Sequence, residues 1–121
     1  MIMNKKFWGK LATINLIDCN SYVKNPKKMR EFCNKLCILI KMKKYGPLHL
    51  KKFGVGKLEG YSFMQFIETS SITAHFEHQQ NPMKAFIDIF SCKDFNEKKA
   101  FAFCKKFFGA KKGKLRTLIR E

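Results

Sequence analysis

The stretch from Ser71 to Phe90 reads SITAHFEHQQNPMKAFIDIF, and it contains two runs whose side chains have a period of two. Apolar and polar residues alternate from Ile72 to Phe76, and aliphatic residues recur at every second position from Ala85 to Phe90. This period is typical of strands that bury one face. Because Asn81-Pro82 lies between the runs and breaks an extended segment, the stretch predicts two separate strands.

Four other segments also have strand character. Leu11 to Ile17 alternates between apolar and polar residues, and Tyr61 to Ile67 is rich in the aromatic and β-branched residues that strands favour. A short strand is predicted at Leu48 to Phe53, and a last edge strand at Leu115 to Ile119. The chain is therefore expected to contain five or six strands.

A first amphipathic helix is predicted near residue 25. Asn25 suits the N-cap, Pro26 suits the first helical position, and apolar residues then recur at helical spacing as far as Ile40. The pair Gly46-Pro47 is predicted to stop this helix.

A second helix is predicted near the end of the chain, with Asp94 or Asn96 as its N-cap and Gly109 as its C′ residue. Two helices and five or six strands indicate an α+β protein. We expect a two-layer α/β sandwich, in which an antiparallel-rich sheet carries both helices on one face. The chain has 121 residues, so a single domain over residues 1–121 is expected.

The composition excludes several classes of protein. With 45% hydrophobic and 14% aromatic residues, the chain can bury a core, which excludes disordered and low-complexity proteins. Its apolar runs are far shorter than the roughly 18 to 20 residues that cross a bilayer, and no uninterrupted apolar segment follows Met1 to Lys10. Five Cys without a C-x-x-C pair argue against a disulfide framework and a zinc ribbon. We therefore expect a cytoplasmic protein with reduced thiols.

The net charge of +16 is unevenly distributed along the chain. Residues 1–58 carry fourteen Lys and Arg against two acids, and residues 98–121 carry nine against one. Residues 59–97 instead carry two against six. The basic flanks would attract nucleic acid or another polyanion, although a solvated Lys-rich surface is the simpler explanation. The acidic middle segment is the place where chemistry is expected.

Three patterns resemble functional motifs only weakly. Gly54-Val-Gly56-Lys57 lacks the full spacing of a phosphate loop, and no periodic helix follows it. Cys33 and Cys37 lie on the apolar stripe of the first helix, so core packing is expected for them. His75 and His78 have no third ligand at a recognised spacing, and no metal site is predicted.

The strongest candidate site combines the segment from Glu68 to His75 with Cys92. A serine, a histidine and a cysteine stand there at the ends of predicted strands, where side chains can meet across a sheet. Taken alone, the pattern also fits Ser and Thr in a turn, a His on a polar strand face and a buried Cys.

Three segments resemble the small prokaryotic type of S-adenosylmethionine decarboxylase proenzyme. They are Leu16-Ile-Asp-Cys19, Glu68 to His75, and Ala85-Phe-Ile-Asp-Ile-Phe-Ser-Cys92. The family has, in the same order, D-C, E-S-H-[LI]-[TS]-[IV]-H-T-W-P-E and A-x-[IV]-D-[IV]-F-[TS]-C. The third motif is nearly intact and the second partly so, and the similarity covers roughly residues 10 to 108.

The resemblance implies a self-cleaving chain. Aligned on His75, the cleavage serine of the family falls on Ser70, and a second processing serine, eight residues upstream, falls on Ser62. Ser70 would attack the carbonyl of Thr69, and His75 would remove the α-proton of Ser70 so that the resulting ester is eliminated. The chain departs from the family at Thr69 and Ser71, where the family has Glu and His.

Cleavage between Thr69 and Ser70 would yield a β chain, residues 1–69, and an α chain, residues 70–121. The resemblance implies that Ser70 becomes a covalent pyruvoyl group, which is the cofactor, and that no metal is needed. Its ketone would form a Schiff base with the substrate and act as an electron sink for decarboxylation. Cys92 would then return a proton to the α-carbon.

The substrate implied by the resemblance is S-adenosylmethionine, decarboxylated for spermidine synthesis. Its sulfonium cation is compatible with the net negative charge of residues 59–97. Phe53 corresponds by analogy to the aromatic residue that stacks on adenine. However, Phe76-Glu77-His78-Gln79 stands where the family has T-W-P-E. Relatives with altered pockets act on arginine or ornithine, and in that alternative Glu77 would bind the cationic side chain.

The resemblance also implies a homodimer with sites near the interface. Two non-enzymatic alternatives are open. One is an uncleaved relative that binds nucleic acid or a ribosomal surface through its basic flanks, and the other is a regulatory subunit that activates a partner decarboxylase. Either alternative would leave the chain unbroken.

Overall fold

The structure, a computed structural model, describes residues 7–121. This part of the chain contains six strands and two α-helices, with single 3-10 turns at Ser21–Lys24 and Gly56–Leu58. The strands are β1 Gly9–Ile17, β2 His49–Phe53, β3 Gly60–Ile67, β4 Ser70–Glu77, β5 Lys84–Ser91 and β6 Lys112–Arg120. The helices are α1 Pro26–Leu39 and α2 Glu97–Phe107.

The six strands form one sheet in the order β2-β3-β4-β5-β1-β6, and every neighbouring pair is antiparallel. Both helices pack on one face of this sheet, where their apolar stripes and the inward side chains of the strands form the core. The predicted α+β two-layer sandwich is confirmed. The other face of the sheet, called the open face below, carries no helix of the described chain.

Burial alternates along the strands as the period of two predicts. Ile72, Ala74 and Phe76 in β4 are buried against the helices, as are Ala85 and Ile87 in β5. The residues between them lie on the open face. Most strands begin one or two residues earlier than predicted, as β4 does at Ser70. The exceptions are β2, which begins one residue later, at His49, and β6, which begins three residues earlier, at Lys112.

The start of α1 is as predicted, but its predicted end is wrong. The Asn25 side chain accepts a hydrogen bond from the Lys28 N–H at 3.2 Å, and Pro26 occupies the first turn. The helix ends at Leu39, well before Gly46-Pro47.

A Schellman motif explains this early end. Lys41 has φ 58, in the left-handed region that favours glycine. Its N–H donates to the Ile38 carbonyl at 3.2 Å, and the Met42 N–H donates to the Cys37 carbonyl at 2.8 Å. Because a lysine occupies the position where glycine is usual, the sequence gives no stop signal there. The turn buries Met42 next to the connection between β3 and β4.

Of the two candidate caps of α2, Asn96 is the N-cap, since its side chain accepts from the Lys99 N–H at 3.0 Å. Asp94 instead pairs with the Lys10 ammonium at 2.6 Å, and this ion pair lowers the pKa of the Asp94 carboxyl. Gly109 has φ 55 and follows the helix end, as predicted.

Candidate active site

The predicted scissile bond lies at a tight turn between two strands. Glu68 and Thr69 form the two-residue connection of the β3–β4 hairpin, in which Ile67 pairs with Ser70. The turn is held from outside by the segment after α1, because the Glu68 N–H donates to the Lys43 carbonyl at 2.9 Å. The Thr69–Ser70 peptide bond is thus the last bond of the turn.

The same turn is held from its other side by β5. Ser70 pairs with Ser91, the last residue of β5, so the residue after that strand reaches the turn. The Cys92 N–H donates a hydrogen bond of 3.0 Å to the Thr69 carbonyl oxygen. The structure therefore brings together Thr69, Ser70 and Cys92, and a backbone donor polarises the carbonyl that Ser70 would attack.

The Cys92 thiol is the most accessible of the five free thiols. Cys92 is partly exposed, whereas the other four cysteines are buried. Burial raises the pKa of the Cys19 thiol to about 11, and the Asp18 carboxylate acts in the same direction. Burial also raises the pKa of Cys104. Its accessibility makes Cys92 the thiol that a substrate can reach most readily.

Ser62 and His75 form a second cluster on the open face. The two-residue turn fixes the register of the β3–β4 hairpin, and pairing outward from the turn makes Ser62 the direct partner of His75. The Ser62 Oγ and the His75 Nδ1 are hydrogen-bonded at 2.7 Å. A serine eight residues before Ser70 and a histidine five residues after it are therefore neighbours because of the turn length.

The Ser62–His75 pair lines a pocket of about 290 Å³, and the pocket also contains both predicted substrate-binding residues, Phe53 and Glu77. Phe53 ends β2 and is 60% exposed. Tyr61 and Phe86 add aromatic walls. Phe86 lies directly opposite His75, and sequence reasoning missed it because only the strand register places it there. Tyr61 is paired with Phe76 and packs partly against the core.

Two carboxylates lie near His75 on the open face. Glu77 is two residues further along β4, and Asp88 lies on the neighbouring β5 strand, opposite Thr73. Burial raises the pKa of Asp88, while the charge of His75 acts in the opposite direction. Lys51, opposite Ser62, and Lys84, opposite Glu77, lie on the same face, so this part of the open face carries charges of both signs.

Within one chain, the two clusters do not meet. Ser70 and His75 are five residues apart on β4, and five residues of extended strand span about 16 Å. Ser70 shares the face of Ile72, which is covered by the helices, whereas His75 lies on the open face. The structure thus separates a cleavage cluster (Thr69, Ser70 and Cys92) from a processing cluster (Ser62 and His75, with Phe53 and Glu77).

Two further findings concern residues 7–121. No group of three or more His, Cys, Asp or Glu side chains in this range is arranged to hold a metal ion. Neither of its helices has the length and apolar character required to cross a membrane.

Comparisons with known proteins agree with the fold. The sequence profile of a family described as S-adenosylmethionine decarboxylase matches residues 10–121. The chain is similar to the crystal structure of the adenosylmethionine decarboxylase from Aquifex aeolicus, with a TM-score of 0.77 and 17% identity over 95% of this chain and 92% of that chain. None of the curated proteins matches the chain. The structural likeness shows the shared fold, and the profile covers nearly the whole sequence, so the chain belongs to the S-adenosylmethionine decarboxylase family.

Proposed function

We propose that the chain is a self-processing, pyruvoyl-dependent decarboxylase that converts S-adenosylmethionine to decarboxylated S-adenosylmethionine for spermidine synthesis. The observation that carries the proposal is the hydrogen bond of 3.0 Å from the Cys92 N–H to the carbonyl oxygen of Thr69, the residue before Ser70. A donor at this oxygen stabilises the negative charge that develops when the carbonyl is attacked. Family membership supports the same conclusion.

In the proposed cleavage, the Ser70 Oγ bonds to the carbonyl carbon of Thr69 as the bond from that carbon to the Ser70 nitrogen breaks. The hydroxyl proton moves to the released nitrogen, and the amide becomes an ester. A base then removes the Ser70 α-proton, which eliminates the Thr69 carboxylate and breaks the chain. Hydrolysis releases ammonia and leaves a pyruvoyl group at residue 70.

The residues at the turn fit this group, because Ser70 supplies its atoms and Cys92 lies beside it. The group supplies a ketone that binds the amine of the substrate and accepts the electron pair released as carbon dioxide leaves. Cys92 is proposed to return a proton to the substrate α-carbon, since its thiol is partly exposed and its backbone already contacts Thr69.

The processing base is proposed to come from a second copy of the chain. His75 is the proposed base, yet about 16 Å of strand separates it from Ser70 of the same chain. The open face also exposes apolar side chains, among them Met64 at 41% and Phe66 at 47%. A homodimer that covers this face would bury these side chains. Because Ser70 faces the helix layer, the processing cluster of one protomer would have to reach it at the Glu68–Thr69 turn, where the hairpin of the partner ends.

A mixed dimer tests this arrangement. Chains with Ser70→Ala and chains with His75→Ala are produced together with different tags, and each is also produced alone. Each variant produced alone is expected to stay uncleaved, because the Ser70→Ala chain lacks the nucleophile and the His75→Ala chain lacks the proposed base. In mixed dimers, the His75→Ala chain is expected to be cleaved, since its Ser70 meets the intact His75 of the other chain.

The fragments are identified by mass spectrometry. If mixed dimers leave the His75→Ala chain intact while the wild-type chain is cleaved, the two clusters do not act across an interface. If the His75→Ala chain is cleaved when it is alone, His75 is not the base.

The pocket beside His75 supports a cationic substrate that carries an aromatic group. Phe53 and Phe86 offer aromatic surfaces, of the kind on which a base stacks with about 1–3 kcal/mol. Glu77 and Asp88 supply negative charge to the same part of the open face. S-adenosylmethionine combines both features, whereas arginine and ornithine supply only the cation.

The release of labelled carbon dioxide identifies the substrate. Cleaved protein is incubated with carboxyl-labelled S-adenosylmethionine, arginine or ornithine in parallel. Release from S-adenosylmethionine, and little from the other two, is expected. Release from arginine or ornithine alone would replace the proposed substrate but keep the pyruvoyl chemistry.

A further inference from the structure

Ser91 is a fully buried polar residue at the scissile turn. Its side chain is 0% exposed, and it ends β5 directly opposite Ser70. The Ser91 hydroxyl donates a hydrogen bond of 2.7 Å to the Thr69 Oγ1 and accepts one of 3.0 Å from the Lys93 N–H. Both hydrogen-bonding roles of this buried hydroxyl are thus used.

The dipeptide Ser91-Cys92 therefore holds Thr69 at two points. The Ser91 hydroxyl binds its side chain, and the Cys92 N–H binds its carbonyl oxygen at 3.0 Å. The Thr69 hydroxyl in turn donates to the Met42 Sδ at 3.3 Å. The Ser91 hydroxyl also lies 3.8 Å from the Met42 Sδ, so both hydroxyls face the same sulfur, and the Thr69 Oγ1 is the nearer acceptor for Ser91.

This arrangement restrains the residue whose carbonyl is attacked. Thr69 is β-branched, so its χ1 angle is stiff, and fixing its hydroxyl also fixes the orientation of its α-carbon. With the carbonyl oxygen held as well, the plane of the Thr69–Ser70 peptide has little freedom to turn. Restraint of this kind raises the fraction of molecules in which the reacting atoms are aligned.

We propose that Ser91 is a positioning residue for chain cleavage, which holds the Thr69 side chain so that the Thr69 carbonyl faces both the Cys92 N–H and the Ser70 hydroxyl. This inference rests on the proposed function. It assigns Ser91 to the first step, in which the Ser70 Oγ forms a bond to the Thr69 carbonyl carbon, the amide bond breaks, and the hydroxyl proton moves to the nitrogen. The Ser91 hydroxyl bonds to the Thr69 side chain and not to the Thr69 carbonyl, so it acts on the reacting bond through Thr69.

The rate of cleavage in cell-free translation tests the inference. Thr69→Val keeps the branched shape and removes the hydroxyl, and Ser91→Ala removes its partner. Each is expected to slow cleavage about five- to tenfold, the effect of one neutral hydrogen bond lost from the reacting geometry. The double variant is expected to be much less impaired than the product of the two single effects, because the Ser91–Thr69 hydrogen bond is lost in each. Thr69→Ser keeps the hydroxyl, so it is expected to be cleaved faster than Thr69→Val.

A second readout isolates the first step. In a His75→Ala chain the ester is expected to form without being eliminated, and hydroxylamine cuts an ester but not an ordinary peptide bond. Adding Ser91→Ala to this chain should slow hydroxylamine-dependent cleavage about five- to tenfold. A role of Ser91 in later steps would leave this rate unchanged.

The outcomes separate the two claims. If the wild-type chain is cleaved, and both Thr69→Val and Ser91→Ala are cleaved as fast as the wild-type chain, the role of Ser91 is refuted while the proposed function stands. If the wild-type chain is never cleaved, both are refuted. Should Ser91→Ala fail to fold, shown by loss of its thermal unfolding transition, Thr69→Val decides the matter.

Discussion

Replacing Ser70 by alanine is expected to abolish chain cleavage. The methyl group cannot attack the Thr69 carbonyl, so neither the ester nor the pyruvoyl group is made. The hydrogen bond from the Cys92 N–H to that carbonyl is a backbone contact, and the hairpin should fold as before. Denaturing gels should show one intact chain, and decarboxylation should fall to background.

Ser71→Ala is the matched control for this variant. Ser71 is the next residue of β4 and lies on the open face, between Phe66 and Phe90 of the neighbouring strands. Its chain is expected to be cleaved at the normal rate. If the Ser70→Ala protein still yielded the fragments 1–69 and 70–121, Ser70 would not be the nucleophile.

Replacing Cys92 by alanine should have the second largest effect, and it should separate processing from turnover. Only the backbone N–H of Cys92 contacts the Thr69 carbonyl, so cleavage is expected to continue. Decarboxylation is expected to fall about a hundredfold or more, since a positioned proton donor contributes typically 10²–10⁴-fold to a rate. Carbon dioxide release per cleaved chain measures this effect.

Cys19→Ala provides the control for loss of a thiol. Cys19 is buried, and burial raises the pKa of its thiol to about 11, so it is not expected to exchange protons with a substrate. Its removal should cost some stability but leave turnover per cleaved chain unchanged. Wild-type turnover by the Cys92→Ala chain would remove Cys92 from the mechanism, and failure of that chain to cleave would assign the side chain to processing.

Alternation and capping predicted most of the fold. The buried faces of β4 and β5 follow from side-chain character at every second residue, and Asn25 with Pro26 marks the start of α1. The end of α1 was not predictable in this way. A lysine adopts the left-handed conformation at Lys41, and only the burial of Met42 against the hairpin turn explains that choice.

The site was predictable as a set of residue types but not as an arrangement. The resemblance supplied Ser62, Ser70, His75 and Cys92. It did not show that Ser62 and His75 pair across a hairpin, or that Ser70 lies at the turn of that hairpin. A two-residue turn centred on Glu68 and Thr69 would have predicted the Ser62–His75 pair from spacing alone. The contacts of Ser91 and Met42 with Thr69 depend on tertiary packing and had no such signal.

The central claim is that the chain cuts itself between Thr69 and Ser70 and converts Ser70 into a reactive ketone. Denaturing mass spectrometry of the purified wild-type protein tests it most directly. We predict two chains, residues 1–69 and residues 70–121. The second chain should be lighter, by the mass of one ammonia, than an unmodified chain that begins with Ser70, and its first residue should react with a carbonyl reagent such as a hydrazide. A single intact chain of 121 residues, unchanged after prolonged incubation under native conditions, would contradict the account.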